Sequence, residues 1–220
     1  LKIKKIFIKS FFEGVHISKN NKNCDTFFKL KIFKNNSKIF YFENNSLKFE
    51  QFFQFGSDII IRDISKITSL KKEIVEIILS QNKLTSDISE DELIEKDFFN
   101  NDSFRKIKKK LIYEIALARI KEISELLFFN NLNLSHYNKG SKVIFFDINN
   151  KSQSKSLDKI FEKVFSSKCD RDFKILNNVN SENLLITANK LVHFGWKKEA
   201  IPIASSKKSF IASIFDTFFG

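Results

Sequence analysis

Apolar and polar residues alternate along residues 27–54, and this alternation predicts three β-strands. The runs FFKLKIF, KIFYFE and SLKFEQFF each place apolar side chains on one face, at the period of two that a half-buried strand requires. Asparagine-rich turns at Asn35-Asn36-Ser37 and Asn44-Asn45 separate the runs. Because turns this short join neighbouring strands, the sequence predicts an antiparallel meander.

A helical period replaces this alternation after Gly56. Ser57 or Asp58 is placed to cap a helix over the following IIIRDISKI, with free amides at the helix start. A second helix is predicted from Leu70 to Leu79. The polar, acidic residues 80–102 predict short strands or a loop in a small subdomain.

The longest helix is predicted from about Asp102 to Phe129. Its expected buried arc comprises Phe104, Ile107, Leu111, Ile115, Ala118, Ile123 and Leu126. Arg119 projects into the middle of this arc, one turn from Glu122, and a guanidinium among core positions needs a partner or a cleft. The two residues therefore form either a half-buried structural ion pair or a ligand contact.

From residue 142 onward the pattern predicts strand, helix, strand and helix. KVIFFDI (142–148) is an apolar run typical of a strand buried on both faces, LDKIFEKVF (157–165) is an amphipathic helix, and DFKIL is a short strand. Ser181-Glu182-Asn183 caps a final core helix through Leu191 and Val192. In this order the elements predict an α/β, ribonuclease-H-like half of a larger protein, interrupted once by an inserted subdomain.

Residues 195–206 predict a linker, and residues 207–220 (KKSFIASIFDTFFG) predict an amphipathic helix. Such a helix at a chain end suits an anionic membrane surface, with its lysines at the headgroups. The alternative is a helix docked on the protein's own body. The predicted membrane-binding residues are Lys207, Lys208, Phe210, Ile211, Ile214, Phe215, Phe218 and Phe219.

Composition limits the class of protein. The 220 residues suffice for one sizeable core or two small ones, and 42% hydrophobic with 29% charged residues is typical of a globular protein. No apolar run reaches the roughly 20 residues of a transmembrane helix, and the basic N-terminus lacks a signal-peptide cleavage site. Because the chain starts with leucine and contains no methionine, we expect a C-terminal fragment of a longer product.

The formal net charge of +12 is compatible with binding to nucleic acid or to an anionic membrane, but the basic residues are scattered. The densest cluster, RKIKKK at 105–110, is typical of a solvated helix start. Isolated cysteines and histidines predict no disulfide, metal site or nucleophile–base pair. They are Cys24, Cys169, His16, His136 and His193.

The order of these elements resembles the C-terminal half of FtsA, the actin-like bacterial cell-division family. FQFGSDIIIRDISK is similar to the family's glycine turn and the helix after it. LIYEIALARIKEISELL is similar to its long helix, with Arg119, Glu122 and Ile123 at the Arg-x-x-Glu-Ile places. SFIASIFDTFF lies where the family carries its membrane-targeting helix. The resemblance covers roughly residues 27–220.

The resemblance implies a division of the chain and a set of site residues. The parts are the end of a preceding domain or connector (1–26), the first part of actin-like subdomain IIA (27–68), an inserted α+β subdomain IIB (69–102), the long helix with the second part of the actin-like half (103–194), a linker (195–206) and the membrane-targeting helix (207–220). The implied cofactor-binding residues are Gly56, Ser57, Arg119 and Glu122.

Two family features are absent from the sequence. The hairpin FFKLKIFKNNSKIFYF has neither the Asp-x-Gly nor any glycine of the second phosphate loop, in which glycine lets the backbone approach phosphate. Asp147-Ile-Asn-Asn150 replaces the glycine pair expected after the buried strand. We therefore expect no ATP hydrolysis, no catalytic residue and no metal ligand, and leave ATP binding open.

The functional prediction is a membrane-associated, actin-like scaffold without turnover. Its implied partners are the tubulin-like FtsZ polymer, further copies of itself in filaments, and anionic lipid. Its implied location is the cytoplasmic side of the bacterial inner membrane at the division septum, with no nucleic-acid partner. The alternatives are an ATPase or sugar kinase with the same fold, or a basic nucleic-acid-binding protein.

Overall fold

A five-stranded mixed sheet organises the chain. The computed structural model describes residues 9–21, 24–81, 84, 87–99, 104–137, 141–148, 154–176 and 181–194. The strands are β1 (Phe27–Ile32), β2 (Ser37–Glu43), β3 (Ser46–Phe53), β4 (Val143–Ile148) and β5 (Asp172–Ile175). The helices are α1 (Lys9–Asn20), α2 (Asp58–Thr68), α3 (Lys72–Ser80), α4 (Lys109–Ser124), α5 (Ser154–Ser166) and α6 (Ser181–Phe194). Short 3₁₀ segments cover Lys96–Phe99 and Leu132–Leu134, and α4 continues into a π-helical turn, Glu125–Phe129.

The predicted meander is confirmed, and the sheet has the strand order β3-β2-β1-β4-β5. β1 pairs antiparallel with β2, and β2 with β3. Asn44 and Asn45 adopt left-handed conformations (φ 50° and 61°) at the tight turn between β2 and β3. β4 pairs parallel with β1, and β5 parallel with β4. Since β1, β3, β4 and β5 run in one direction, their carboxyl ends share one edge of the sheet, here called the carboxyl edge.

One face of the sheet is covered by α2, α3, α4 and α5 and encloses the main core. Every second residue of β1 and β4 points into it, as the strand period requires. These residues are Phe28, Leu30, Ile32, Ile144, Phe146 and Ile148. The predicted helices over 59–67, 70–79 and 157–165 are confirmed with shifted ends. α2 begins at Asp58, α3 at Lys72 and α5 at Ser154.

α1, which the sequence pattern did not predict, covers the opposite face. Its Ile17 joins a second, smaller core with the aromatic residues Phe27, Phe40, Phe42 and Phe145. Gly14 lies directly on the Phe42 ring, where a Cβ atom would come within 2.1 Å of the ring carbons. The buried face of α1 also carries Glu13, and this charge interrupts the apolar period that would have revealed the helix.

The longest helix ends at Phe129 as predicted, but its predicted start and part of its predicted buried arc are wrong. α4 begins only at Lys109, because residues 104–107 are not helical and Lys108 forms an antiparallel bridge with Leu93. Its buried stripe is Ile112, Tyr113, Ala116, Ile120 and Ile123. Of the predicted arc, Phe104, Leu111, Ala118 and Leu126 are exposed. The helix carries two apolar stripes, and the pattern alone did not show which one faces the core.

Residues 84 and 87–99, predicted as short strands or a loop, form a loop with one isolated bridge and a 3₁₀ turn, and they contribute the buried Leu84, Ile94 and Phe99 to the main core. One further prediction needs correction. α6 is not a core helix over its described side chains 182–190. Leu185 and Ile186 are 69% and 52% exposed, and Thr187 is buried.

Among the described residues, none of the helices has the length and apolar content needed to cross a bilayer. The predicted linker 195–206 and the predicted helix 207–220, with all eight predicted membrane-binding residues, lie outside the described residues.

Candidate functional site

The carboxyl edge between β1 and β4 is the candidate site indicated by the topology. From β1 the chain turns into the β2 hairpin on one side, and from β4 it passes through α5 to β5 on the other side. Open α/β sheets bind ligands outside the carboxyl ends of strands at such a switch of direction. The first turns of α2 and α5 begin at the same edge, because each follows a strand that ends there.

Four charged side chains meet on the α1 side of this edge, and we call them the Glu13 network. Lys31 and Asp147 are register partners on β1 and β4, and Lys31 Nζ lies 3.4 Å from Asp147 Oδ2. Lys31 Nζ also donates to Glu13 Oε1 at 3.3 Å, and Lys29 Nζ donates to Glu13 Oε2. None of the four side chains is more than 13% exposed.

Burial and ion pairing shift the pKa values of Glu13 and Lys29 in opposite directions. Burial raises the pKa of the Glu13 carboxyl, but the ammonium groups of Lys29 and Lys31 outweigh it, and the pKa lies below its ordinary value. Burial lowers the pKa of Lys29, and the Glu13 carboxylate offsets this only in part. Removing either partner would leave a buried, unpaired charge, so the network fixes α1 over β1.

The first turn of α5 brings two polar groups without partners to the same edge. Ser156 is fully buried, and neither its hydroxyl nor Asp158 Oδ1 has a hydrogen-bond partner among the described residues. Burial, with the carboxylates of Asp147 and Glu162 nearby, raises the pKa of Asp158 to about 7. The loop that joins β4 to α5, 149–153, lies outside the described residues.

The first turn of α2 closes against the β1–β2 turn, and the predicted cap is wrong. Ser57 N–H donates to the Phe33 carbonyl at 2.9 Å, and Asp58 N–H donates to the Lys34 carbonyl at 2.8 Å. The Ser57 hydroxyl makes no cap bond and is buried without a hydrogen-bond partner in the part of the chain that the structure describes. Gly56 is required here, because a Cβ atom would lie 2.2 Å from the Phe33 carbonyl oxygen.

This half of the carboxyl edge does not fit a nucleoside phosphate. Backbone amides at a helix start bind phosphate only when they are free, and the amides of Ser57 and Asp58 already donate to the β1–β2 turn. The nearby Lys31 ammonium is paired with Glu13 and Asp147. A phosphate would have to displace the turn and compete with two carboxylates.

Arg119 and Glu122 lie away from this edge, in a groove between α2 and α4. Arg119 donates from Nε to Asp63 Oδ2 and from a terminal nitrogen to Glu122 Oε2, both at 2.5 Å. The predicted ion pair is therefore present, while Asp63, which sequence spacing did not reveal, is its second partner. A cavity of about 370 Å³ lies beside the three residues. Gly56 and Ser57 do not line it, so the structure separates the two predicted pairs.

The sequence contains a signal for the Glu13 network in the charged positions of β1 and β4. Lys29 and Lys31 alternate with apolar residues on β1, and Asp147 interrupts the apolar strand β4. Charges at these positions point to the face opposite the main core and need partners there. Within the described ranges, no group of three or more His, Cys, Asp or Glu residues is placed to hold a metal ion.

Comparison with known proteins finds structural similarity without sequence similarity. No protein-family model and no curated protein matches the chain. The archaeal actin homologue Ta0583 aligns with 84% of this chain at 10% identity and a TM-score of 0.51, over 55% of its own length. MreB5 of Spiroplasma citri bound to ADP aligns with 86% of this chain at 14% identity and a TM-score of 0.51, over 59% of its own length.

These likenesses confirm the predicted α/β fold as actin-like and ribonuclease-H-like. The chain spans somewhat more than half the length of the solved structures described above. At such identities the comparison shows the fold alone. The roles predicted for Gly56, Ser57, Arg119 and Glu122, and the division into subdomains, stay predictions.

Proposed function

We propose that the chain belongs to a membrane-associated scaffold of the FtsA type, which tethers FtsZ polymers to the inner face of the cytoplasmic membrane at the septum and does not hydrolyse ATP. The observation that supports this proposal is the arrangement of side chains and backbone at the carboxyl edge. An actin-like half keeps its fold while Lys31, Asp147 and the β1–β2 turn fill the place where a phosphate would be received. Such a body suits assembly and binding better than turnover.

The sequence of residues 207–220 supplies the membrane contact in this proposal. Burying one phenylalanine or isoleucine fully contributes about 1.5–3 kcal/mol, and an interfacial position contributes less. After the cost of ordering the helix, a single tail binds weakly and reversibly. Filament assembly multiplies the tails, so avidity holds polymers on the membrane while single copies dissociate.

Vesicle flotation of the full chain with and without residues 207–220 tests the tether. We expect the full chain to float with phosphatidylglycerol-rich vesicles and to bring FtsZ polymers with it, and the truncated chain to stay in the dense fraction. Equal flotation of both forms would remove the basis of the tether. If the chain floats alone and FtsZ stays behind, FtsZ is not the partner.

A second candidate is nucleoside binding in an ATPase or kinase of the same fold. It is favoured by Ser156 Oγ and Asp158 Oδ1, which are buried at the carboxyl edge without partners among the described residues. Titration calorimetry of the full-length protein with ATP and adenosine, together with an assay of phosphate release, separates the candidates. Binding without release agrees with a scaffold, whereas steady release of phosphate identifies an enzyme.

A further inference from the structure

The second apolar stripe of α4 lies at the surface, and packing in the core does not account for its apolar side chains. Leu111, Ile115 and Ala118 belong to this stripe, and Ile67 of α2 lies beside it. Ile67 is 59% exposed and Leu111 is 40% exposed. These residues line two adjoining cavities of about 370 and 570 Å³ that share Ile67 and Glu114. We call them together the α2–α4 groove.

Opposite charges occupy the two ends of the α2–α4 groove. At one end the carboxylates of Asp63 and Glu122 pair with the single guanidinium of Arg119, and Glu114 lies where the two cavities adjoin. At the other end three lysines outnumber two carboxylates, those of Glu90, which accepts from Lys110, and of Glu114, which lines both cavities. The lysines are Lys106, Lys108 and Lys110. A ligand with an apolar face, a basic end and an acidic end therefore complements this groove.

The chain carries a segment with this pattern. We propose that residues 207–220 dock in the α2–α4 groove when no membrane is present, with Lys207 and Lys208 at the acidic end and Asp216 at the lysine end. In a helix, eight or nine residues span about 13 Å, and the charged ends of the groove lie about 17 Å apart along α4. Long lysine side chains bridge that difference. Phe210, Ile214 and their neighbours then cover Ile67 and Leu111.

The length of chain outside the described residues allows this docking. α6 packs against α1, which covers the opposite face of the sheet, and it ends at Phe194, so residues 195–206 connect it to the tail. These twelve residues reach about 40 Å when extended. Two helix layers and a sheet are about 30 Å thick, so the linker can pass around the sheet.

This inference rests on the proposed function, because the docked segment is the one assigned to the membrane. Groove and bilayer then compete for the same apolar face. The apparent membrane affinity falls in proportion to the fraction of tails that are free. A chain whose groove is filled nine-tenths of the time binds vesicles about tenfold more weakly than a chain whose groove cannot bind the tail.

Vesicle binding of groove variants tests the competition. Leu111→Glu places a charge on the groove floor, and Leu132→Glu, at a position 87% exposed outside the groove, is the matched control. We expect Leu111→Glu to strengthen binding of the full chain to phosphatidylglycerol-rich vesicles about tenfold, and Leu132→Glu to leave it unchanged. Unchanged binding in Leu111→Glu overturns the inference. If the full chain and the chain without residues 207–220 bind the vesicles equally well, the proposed function is overturned instead.

Disulfide trapping tests the docking without any membrane. In a background of Cys24→Ser and Cys169→Ser, Ile67→Cys and Ile214→Cys together are expected to form a disulfide within one chain. Lys106→Glu should lower its yield, and Asp216→Lys added to Lys106→Glu should restore it. Disulfide-linked dimers would assign the groove to a second copy and overturn the inference, as would a yield no higher than that of Leu132→Cys with Ile214→Cys.

Discussion

Lys31 of β1 and Asp147 of β4 face each other across the parallel strand pair, with Lys31 Nζ 3.4 Å from Asp147 Oδ2. The pair lies at the switch point of the sheet, where an open α/β fold offers its crevice to ligands. Glu13 closes it from the side of α1. Charges that could serve a ligand are thus engaged with one another, and this arrangement ties the amino-terminal helix to the centre of the sheet.

Removing one partner from the buried Glu13 network should destabilise the fold far more than removing one partner from an exposed ion pair. Glu13→Gln leaves the Lys29 ammonium buried without its carboxylate, and we expect a loss of about 3 kcal/mol in the free energy of unfolding. Glu50→Gln breaks the exposed pair with Lys38 and serves as the control, with a loss below about 1 kcal/mol. Urea titration followed by circular dichroism measures both. Similar losses in the two variants would contradict the buried arrangement.

Asp158 should make stability depend on pH. Its pKa is raised from 3.8 to about 7 by burial and by neighbouring carboxylates, so the folded chain binds the proton more tightly than the unfolded chain. The stabilisation is fully present below pH 3.8 and is lost as the pH rises through about 7. We expect Asp158→Asn to be more stable than the parent by about 1 kcal/mol at pH 8, after allowance for solvent screening.

The pH profile of that variant is the decisive measurement. Asp158→Asn should flatten the decline between pH 4 and 8, whereas Asp97→Asn, at an exposed position, should leave it in place. Thermal unfolding at intervals of one pH unit resolves the difference. A decline of equal size in Asp158→Asn and in the parent would mean that another group titrates.

Alanine substitutions at the neighbouring residues Gly56 and Ser57 should have opposite effects on the free energy of unfolding. Gly56→Ala would bring a Cβ atom within 2.2 Å of a backbone carbonyl oxygen, and we expect a loss of about 3 kcal/mol in unfolding free energy. Ser57→Ala removes a buried hydroxyl that has no partner among the described residues, so we expect no loss or a small gain. A cost of about 1 kcal/mol in Ser57→Ala would indicate a working helix cap.

The tail lysines should control the salt dependence of membrane binding. Each basic residue near an anionic leaflet contributes about 1 kcal/mol, so Lys207→Gln with Lys208→Gln should weaken vesicle binding about 30-fold at low salt. Lys207→Arg with Lys208→Arg keeps the charge and should bind like the parent. Flotation at increasing sodium chloride measures both variants. A double glutamine variant that still binds tightly would assign the affinity to the apolar face alone.

Short-range patterns carried most of the fold prediction. β1, β2 and β3 follow from alternation and asparagine turns, and β4 follows from its apolar run, because strand geometry imposes a period that one sequence displays directly. α4 did not follow. Both stripes of this helix satisfy the helical period, and the choice between Ile112 and Leu111 for the core depends on where α2 and α5 press against it.

The site was harder to predict because its parts are far apart in the chain. Glu13 reaches Lys29 and Lys31 only after α1 folds across the sheet, and Asp63 reaches Arg119 only after α2 and α4 pack together. Contacts between residues so far apart in the chain leave no spacing pattern in the sequence. The local pair Arg119–Glu122, three residues apart, is the part that sequence reasoning obtained.

α1 decides where the folding unit starts. A fragment that begins at Phe27, where the strand pattern first becomes visible, would expose Phe40, Phe42 and Phe145 to solvent. It would also leave the Lys29 ammonium without its carboxylate partner in a partly exposed apolar layer. Such a truncated product should collect in inclusion bodies, and adding back residues 9–26 should return it to the supernatant. Expression boundaries and gene-fusion junctions therefore belong upstream of Lys9.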